Sequence, residues 1–367
     1  MEFTTKKPPI KTNQERSYKK LLTLHISLII VSLGAIFTRA FIPLLEEGAQ
    51  WAPDELFKSF LMLAVGVGVS VLLELLYALT EGKAQEFTKY KRLVDPINTG
   101  LLIALLLPTV TPIYVLVLAV VVGVYAGKIV FGGYGYYIFN PVLVGVLFAN
   151  ISFASQMIVE GTPLLMLKDA LAGGASNFNL ANLLVGNYEA VAIGSTAAVL
   201  LIILFIYLLI NKVVDLRSSG VFVLSVILIS LGIGFVNFDL NGMLVYTLVN
   251  LLTGLTLFGA VFLISETISS PTSRETKIIY AVVIAILTMA VRVLGTNPEG
   301  IVFAVLFGNM ITPFLNRTVK RSNKSTFIKT VVISLFVVIL TGLVLGFILQ
   351  GRFIELFNAT ALMGGLF

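Results

Sequence analysis

The chain has 367 residues, of which 57% are hydrophobic and 12% are charged, whereas soluble domains carry roughly 25% charged residues. It has no cysteine and one histidine, which excludes disulfides, thiolate-bound iron–sulfur clusters and bis-histidine haem from this chain. Apolar runs of about twenty residues recur, so the composition predicts an all-α polytopic membrane protein. The net charge of +6 does not indicate nucleic-acid binding, because the basic residues lie in short loops where they orient membrane spans.

Eleven apolar segments are predicted to be helical in the bilayer. The first follows a basic tail at residues 1–21 that lacks the small-residue cleavage site of a secretory signal, so it is predicted to be a retained span. The segments at 96–111, 138–154 and 300–315 begin at Pro, Asn-Pro or Pro-Gly and are short for a span. The full set is 25–45, 58–80, 96–111, 113–131, 138–154, 191–211, 220–236, 243–265, 277–294, 300–315 and 327–350.

Lysine and arginine concentrate in alternate connecting loops, and loops of this kind face the cytoplasm. The basic N-terminus is therefore predicted to be cytoplasmic and the acidic loop that follows the first span external. The expected location is the bacterial inner (plasma) membrane, with the chain crossing it many times. The predicted cytoplasmic loops are 82–95, 212–219, 266–276 and 316–326, and the long loop 155–190 is predicted to be external.

Two Asn-Pro pairs indicate an internal repeat. Asn140-Pro141 precedes VLVGVLFAN, and Asn297-Pro298 precedes EGIVFAVLFGN about half the chain later. Proline fits the first turn of a helix because it lacks the N–H that would be unpaired there. Each pair is therefore predicted to begin a broken or re-entrant helix, the alternative being a plain interfacial loop.

Each half of the chain then holds five spans, and an odd number inverts the second copy relative to the first. The predicted fold consists of two inverted five-helix repeats with broken helices and an extra C-terminal transmembrane helix. Its parts are the first repeat at 22–155, an external loop at 156–190, the second repeat at 191–316 and the extra helix at 327–350.

Ionisable residues inside spans are candidate functional residues because they are costly to place there. Lys128 and Arg292 each stand just before a predicted broken helix, where helix N-termini can hold phosphate or carboxylate groups. Anion contact and interfacial snorkelling stay equally open for both. His25 is expected at the inner membrane interface, within reach of Glu74.

The run Gly132-Gly133-Tyr134-Gly135-Tyr136-Tyr137 precedes the first Asn-Pro pair. Glycines such as Gly133 let a backbone approach a ligand closely, and the ring of Tyr134 can stack on a ligand ring. The alternative is an ordinary aromatic belt at the membrane interface. The run is therefore a candidate ligand-binding loop.

Four motifs, in this order, resemble the D subunit of the Rnf electron-transport complex and the homologous B subunit of the sodium-translocating NADH:quinone oxidoreductase. The resemblance covers about 90–320 and is closer to the Rnf member. The motifs are KIVFGGYGYYIFNPVLVGVLF (128–148), GNYEAVAIGSTAAV (186–199), SETISSPTS (265–273) and NPEGIVFAVLFGNMITPFLNR (297–317).

The resemblance implies the inverted-repeat fold, which is related to urea and ammonium channels. It also implies one FMN joined through its phosphate to a hydroxyl side chain on the outer side, and a second, non-covalent flavin. Electrons would cross the membrane, coupled to Na⁺ or H⁺ movement. The implied partners are an external flavin subunit, iron–sulfur subunits, a flavin transferase and the lipid bilayer, with no nucleic acid.

The family's flavin-acceptor motif, Asp-x-x-Ser/Thr-Gly-Ala-Thr, appears here in altered form as Asp169 to Ser176 (DALAGGAS). The resemblance makes Ser176 the predicted FMN acceptor, with Thr162 as the fallback. The family's Gly-Glu-Thr-Ser run appears as Gly194-Ser195-Thr196-Ala197, without its carboxylate. The resemblance further implies a flavin pocket lined by the two broken-helix starts, at Asn140, Pro141, Asn297 and Glu299.

The predicted function is a flavin-bearing membrane subunit that relays electrons in an Rnf- or Nqr-like complex. The alternative is a channel or small-solute transporter of the urea type on the same fold, because function lies in the site and not in the fold. An ammonium channel would need paired intramembrane histidines, and the chain has only His25.

The predicted orientation is tested with single cysteines introduced into this cysteine-free chain. A cysteine at Ser176 is expected to react with a membrane-impermeant maleimide in intact cells, because its loop is predicted to be external. A cysteine at Arg217, in the predicted cytoplasmic loop 212–219, is the matched control and is expected to react only after lysis. The reverse labelling pattern would overturn the orientation.

Overall fold

The computed structural model describes residues 14–41, 53–82, 90–157, 184, 192–195, 197–295, 300–319 and 324–364. These residues form α-helices with short 3-10 and π turns, and none of them lies in a β-strand. The helices are α1 (Gln14–Phe41), α2 (Pro53–Thr80), α3 (Tyr90–Leu106), α4 (Ile113–Val121), α5 (Pro141–Ser152), α6 (Ala198–Ile210), α7 (Val221–Asn237), α8 (Leu240–Leu252), α9 (Thr256–Phe262), α10 (Arg274–Leu294), α11 (Ile301–Thr318) and α12 (Lys324–Gly364).

The described residues contain seven helices long and apolar enough to cross a membrane. An eighth span results if α8 and α9, which meet at a bend of 46°, are counted as one broken span. The prediction of an all-α polytopic membrane protein is confirmed. The predicted count of eleven spans is higher because α3, α5 and α6 have only 17, 12 and 13 residues, fewer than the roughly twenty that a full crossing needs.

The first Asn-Pro pair begins a helix as predicted. The Asn140 side chain accepts the backbone N–H of Val142 at 3.0 Å, and Pro141 is the first residue of α5. Asparagine at the cap and proline at the first position satisfy or remove donors that the helix itself cannot pair. The second pair, Asn297-Pro298, lies outside the described residues, and α11 begins just after it at Ile301.

Helices that correspond in the two predicted repeats contact each other. The first helices of the two halves, α1 and α6, are in contact, and so are α5 and α11, which follow the two Asn-Pro pairs. Like-to-like contacts are what two repeats related by a two-fold axis require. The repeat boundaries themselves stay a prediction, and most of the loop 156–190 lies outside the described residues.

The predicted extra segment at 327–350 lies within α12, which packs along α7 and also contacts α10. Gly232 of α7 faces Gly342 of α12, and a Cβ built on Gly232 would lie only 2.9 Å from the Gly342 backbone. The Asn237 side chain donates to the Gly346 carbonyl at 3.0 Å. Small residues and interhelical hydrogen bonds of this kind hold membrane helices together.

Glycines also set the distance between α2 and α3. A Cβ built on Gly66 would lie 2.9 Å from the backbone oxygen of Gly100, whereas a Cβ on Gly68 would meet nothing within 4 Å. Gly66 therefore faces the backbone of α3, whereas Gly68, two residues later on the same helix, faces open space.

Gly66→Leu is expected to lower the free energy of unfolding by about 1–3 kcal/mol, because the added side chain must push α3 away. Gly68→Leu is the matched control and is expected to change it by less than about 0.5 kcal/mol. Thermal unfolding of the purified variants in detergent measures both. Equal loss of stability in the two variants would contradict this account of the α2–α3 contact.

Candidate functional site

A buried ion-pair cluster joins three helical segments at one end of the helix assembly. Lys128 follows α4 and is 1% exposed, and its ammonium contacts the carboxylates of Glu74 on α2 and Asp95 on α3. The carboxylate side chains are 15% and 19% exposed. A buried charge needs a partner of opposite sign because desolvation is costly. Two carboxylates around one ammonium satisfy that need and leave an excess of acceptor oxygens.

The local sequence explains how the chain brings Lys128 inward. Helix α4 continues into a π turn, Val122–Ala126, in which Gly123 lies against the backbone of Pro141 and Gly145. Wider turns of this type inside helices often occur at functional sites. The chain then turns sharply through a short 3-10 segment, Ile129–Phe131, that follows Lys128.

The Gly-Tyr run forms a tight loop beyond this segment. Gly132, Gly133 and Gly135 have φ angles of 103°, 89° and 94°, a left-handed region that favours glycine. Tyr134 and Tyr136 are 52% and 74% exposed, and the Lys128 ammonium lies 5.9 Å from the centre of the Tyr134 ring. The loop therefore presents two exposed aromatic rings, of which that of Tyr134 lies beside the Lys128 ammonium.

The next residue of this loop links the two halves of the chain. The Tyr137 hydroxyl donates to the Glu266 carboxylate at 3.0 Å. The same carboxylate accepts the backbone N–H groups of Ile268 and Ser269 at 3.2 and 3.0 Å and the Ser269 hydroxyl. Burial and the neighbouring Glu266 charge raise the pKa of Tyr137 well above its usual range, so the phenol stays a neutral donor.

A second polar link joins the start of α5 to the other half. With its amide oriented to suit its neighbours, Asn309 accepts the backbone N–H of Asn140 at 3.1 Å and donates to the Tyr280 hydroxyl at 3.1 Å. Asn140 and Asn309 are both buried. The sequence predicted a role for Asn140 but gave no indication of its partner Asn309, which lies on α11 and is itself bonded to Tyr280 on α10.

His25 is buried, and its side-chain partner is Asn98. Its Nδ1 lies 2.6 Å from Oδ1 of Asn98 on α3, three residues after Asp95.

The Thr99 hydroxyl donates to the Asp95 carbonyl at 3.0 Å, and the Ser70 hydroxyl donates to the Pro96 carbonyl at 2.8 Å. Both hydroxyls therefore donate to backbone carbonyls at the proline in α3, and the Ser70 hydroxyl links α2 to α3.

Arg292 is in the last turn of α10 and is 2% exposed. Its guanidinium donates to the backbone oxygens of Asn250 at 2.7 Å and Thr253 at 3.0 Å. Both acceptors lie where α8 ends and the chain bends into α9. The buried cation is therefore held by carbonyl groups at a helix break.

The structure brings together five of the predicted site residues: Lys128, Gly133, Tyr134, Asn140 and Pro141 are all in or next to the loop between α4 and α5. Arg292 contacts a different segment. The predicted residues Ser176, Asn297 and Glu299 lie outside the described residues.

Sequence reasoning missed Asp95 and Asn98. The available signal was the polar run Asp95-Pro96-Ile97-Asn98-Thr99 at the start of a short span. Polar side chains in a membrane segment usually pair with one another or with backbone carbonyls, so this run indicated buried partners.

Comparison with known proteins agrees with the motif resemblance. The family model described as NQR2, RnfD, RnfE family matches residues 4–325. The chain is 29% identical over 234 residues to the D subunit of the Na(+)-translocating ferredoxin:NAD(+) oxidoreductase complex of Acetobacterium woodii, an alignment that covers 60% of this chain and 70% of that protein.

Two further relatives come from other bacteria. The D subunit of the ion-translocating oxidoreductase complex of Actinobacillus succinogenes is 26% identical over 308 residues, which is 71% of this chain and 85% of that protein. The B subunit of the Na(+)-translocating NADH-quinone reductase of Ectopseudomonas mendocina is 27% identical over 242 residues, which is 61% of this chain and 59% of that protein.

Lys128→Met is expected to lower the free energy of unfolding by up to about 3–5 kcal/mol, because it leaves two partly buried carboxylates without their cation. The triple variant Lys128→Met, Glu74→Gln, Asp95→Asn is expected to recover part of the loss. Lys58→Met, at an exposed position of α2, is the control and is expected to leave the free energy of unfolding almost unchanged. Thermal unfolding in detergent measures all three, and a triple variant less stable than Lys128→Met alone would contradict the ion-pair account.

Proposed function

Because the chain belongs to the NQR2, RnfD, RnfE family, we propose that it is a membrane subunit of an Rnf- or Nqr-type ion-translocating electron-transport complex. The match over residues 4–325 is the observation that carries this proposal. The names of the relatives, which are subunits of such complexes, support it. The proposed location is the bacterial inner membrane, with the N-terminus and the Lys128 end of the protein in the cytoplasm.

The proposal assigns the iron–sulfur centres to other subunits. A chain without cysteine has no thiolates to ligate such clusters. Electron transfer to and from this chain then requires partners that carry these centres, together with an external flavin subunit.

The finer proposal is that the chain carries flavin. FMN would be attached covalently at Ser176 by a flavin transferase, and a second flavin would bind without a covalent bond. A flavin accepts one or two electrons, which suits a relay between one- and two-electron carriers. The loop of Gly133 and Tyr134 fits an isoalloxazine ring, since its glycines permit close approach and its exposed rings can stack on another.

The two buried cations fit a flavin phosphate less well. The Lys128 ammonium is held by two carboxylates, which would repel a phosphate, and the Arg292 guanidinium is held by two carbonyl oxygens. The Gly-Tyr loop and the start of α5 at Asn140 and Pro141 lie at the Lys128 end, which is proposed to be cytoplasmic. They are therefore proposed to hold the second, non-covalent flavin, and not the FMN of the external loop at Ser176. A contribution from Asn297 and Glu299 is proposed from the repeat alone.

Membership of a complex is tested by affinity purification of the full chain from its native membrane in a mild detergent. Other subunits, including iron–sulfur proteins, are expected to co-elute in fixed ratio, and the purified complex is expected to oxidise a low-potential donor. A chain that elutes alone, and that conducts urea in liposomes, would instead support the channel alternative.

Covalent flavin is tested by fluorescence of the denatured chain in a gel and by its intact mass. With a flavin transferase co-expressed, the wild-type chain is expected to carry FMN and Ser176→Ala to carry none, because the phosphodiester needs that hydroxyl. Thr162→Ala is the matched control and is expected to keep the adduct. Fluorescence that survives Ser176→Ala would contradict the assignment.

A further inference from the structure

The break between α8 and α9 leaves backbone carbonyls that need partners. Helix α8 ends at Leu252, α9 begins at Thr256, and Gly254 between them has a left-handed φ of 63°. The last carbonyls of a helix have no donor within it. Away from water, an unpaired carbonyl costs several kcal/mol, so a break within a span requires donors from elsewhere.

Arg292 supplies these donors from another helix. One guanidinium nitrogen reaches the Asn250 oxygen at 2.7 Å and the other reaches the Thr253 oxygen at 3.0 Å. All three residues are at most 2% exposed. The cation also lies at the C-terminal end of α8, where the helix dipole places partial negative charge.

Carbonyl oxygens at the C-terminal end of a half-helix are the groups that bind Na⁺ in transporters built from broken helices. Two more buried oxygens beside the break, Asn250 Oδ1 and Thr256 Oγ1, have no hydrogen-bond partner among the described residues. Without Arg292, the break would thus present an oxygen-lined site suited to a monovalent cation.

We propose that the Arg292 guanidinium is a tethered cation that permanently occupies this carbonyl site and closes the α8–α9 break to monovalent cations. Arginine suits the task because its charge is fixed at every physiological pH and its planar fork reaches two acceptors at once. A fixed positive charge in a narrow polar gap also repels mobile cations and protons. The coupling ion of the proposed complex would then cross elsewhere.

The first experiment tests occupancy by chemical rescue. Arg292→Ala is expected to lower the melting temperature of the purified full chain in detergent by several degrees, because it leaves the Asn250 and Thr253 oxygens unpaired. Tens of millimolar guanidinium chloride is expected to raise the melting temperature of this variant. In the same solution the melting temperature of the wild type is expected to fall slightly. The same small fall is expected for Arg317→Ala, which alters an exposed arginine of α11. The same response in all three proteins would overturn the proposal.

The second experiment tests closure and does not depend on the alanine variant. Arg292→Gln, which keeps donors but loses the charge, is expected to raise passive Na⁺ or H⁺ leak in liposomes by about tenfold or more. Arg292→Lys keeps the charge and is expected to leak as little as wild type. Equal leak in the Gln and Lys variants, or no increase in either, would overturn the proposal. Both assays use the chain alone, so their results are independent of whether it joins an electron-transport complex.

Discussion

Inside the hydrocarbon of a bilayer, every backbone N–H or C=O group without a hydrogen-bond partner costs several kcal/mol. A fold with short and broken helices has to meet this cost wherever a helix begins or ends. At the start of α5, Asn140 and Pro141 satisfy or remove the free donors, whereas at the end of α8 Arg292 supplies donors to free carbonyls. The positions of these side chains therefore decide where the helices of this protein can break.

Buried charges have a second role, which is to join elements distant in sequence. Lys128 binds carboxylates from α2 and α3, so three segments of the first half share one ion-pair cluster. The loop that follows Lys128 is joined to the second half of the chain by the hydrogen bond from the Tyr137 hydroxyl to Glu266. For the proposed electron-relay function, such cross-links would keep any bound cofactors at fixed separations. The net stability that such buried ion pairs add is small, because desolvation offsets much of the attraction.

The sequence pattern predicted the features that depend on residues close together in the chain. These are the membrane class, the position of most helices and the helix start at Pro141. The partners of Lys128 and Arg292 could not be predicted, because they depend on how helices rotate and pack. The anions that Lys128 contacts are carboxylates of the chain itself, whereas Arg292 contacts neutral carbonyl groups. The predicted count of eleven segments exceeds the seven or eight helices of spanning length among the described residues, because hydropathy alone does not separate a full crossing from a shorter apolar helix.

The most direct test of this account is a cryo-electron microscopy map of the purified full chain that resolves backbone carbonyls around the break between α8 and α9. The account predicts continuous density from the Arg292 guanidinium to the carbonyl oxygens of Asn250 and Thr253, with no separate ion between them. Density for a coordinated ion or for water at those two oxygens, with Arg292 turned away toward the membrane surface, would contradict it.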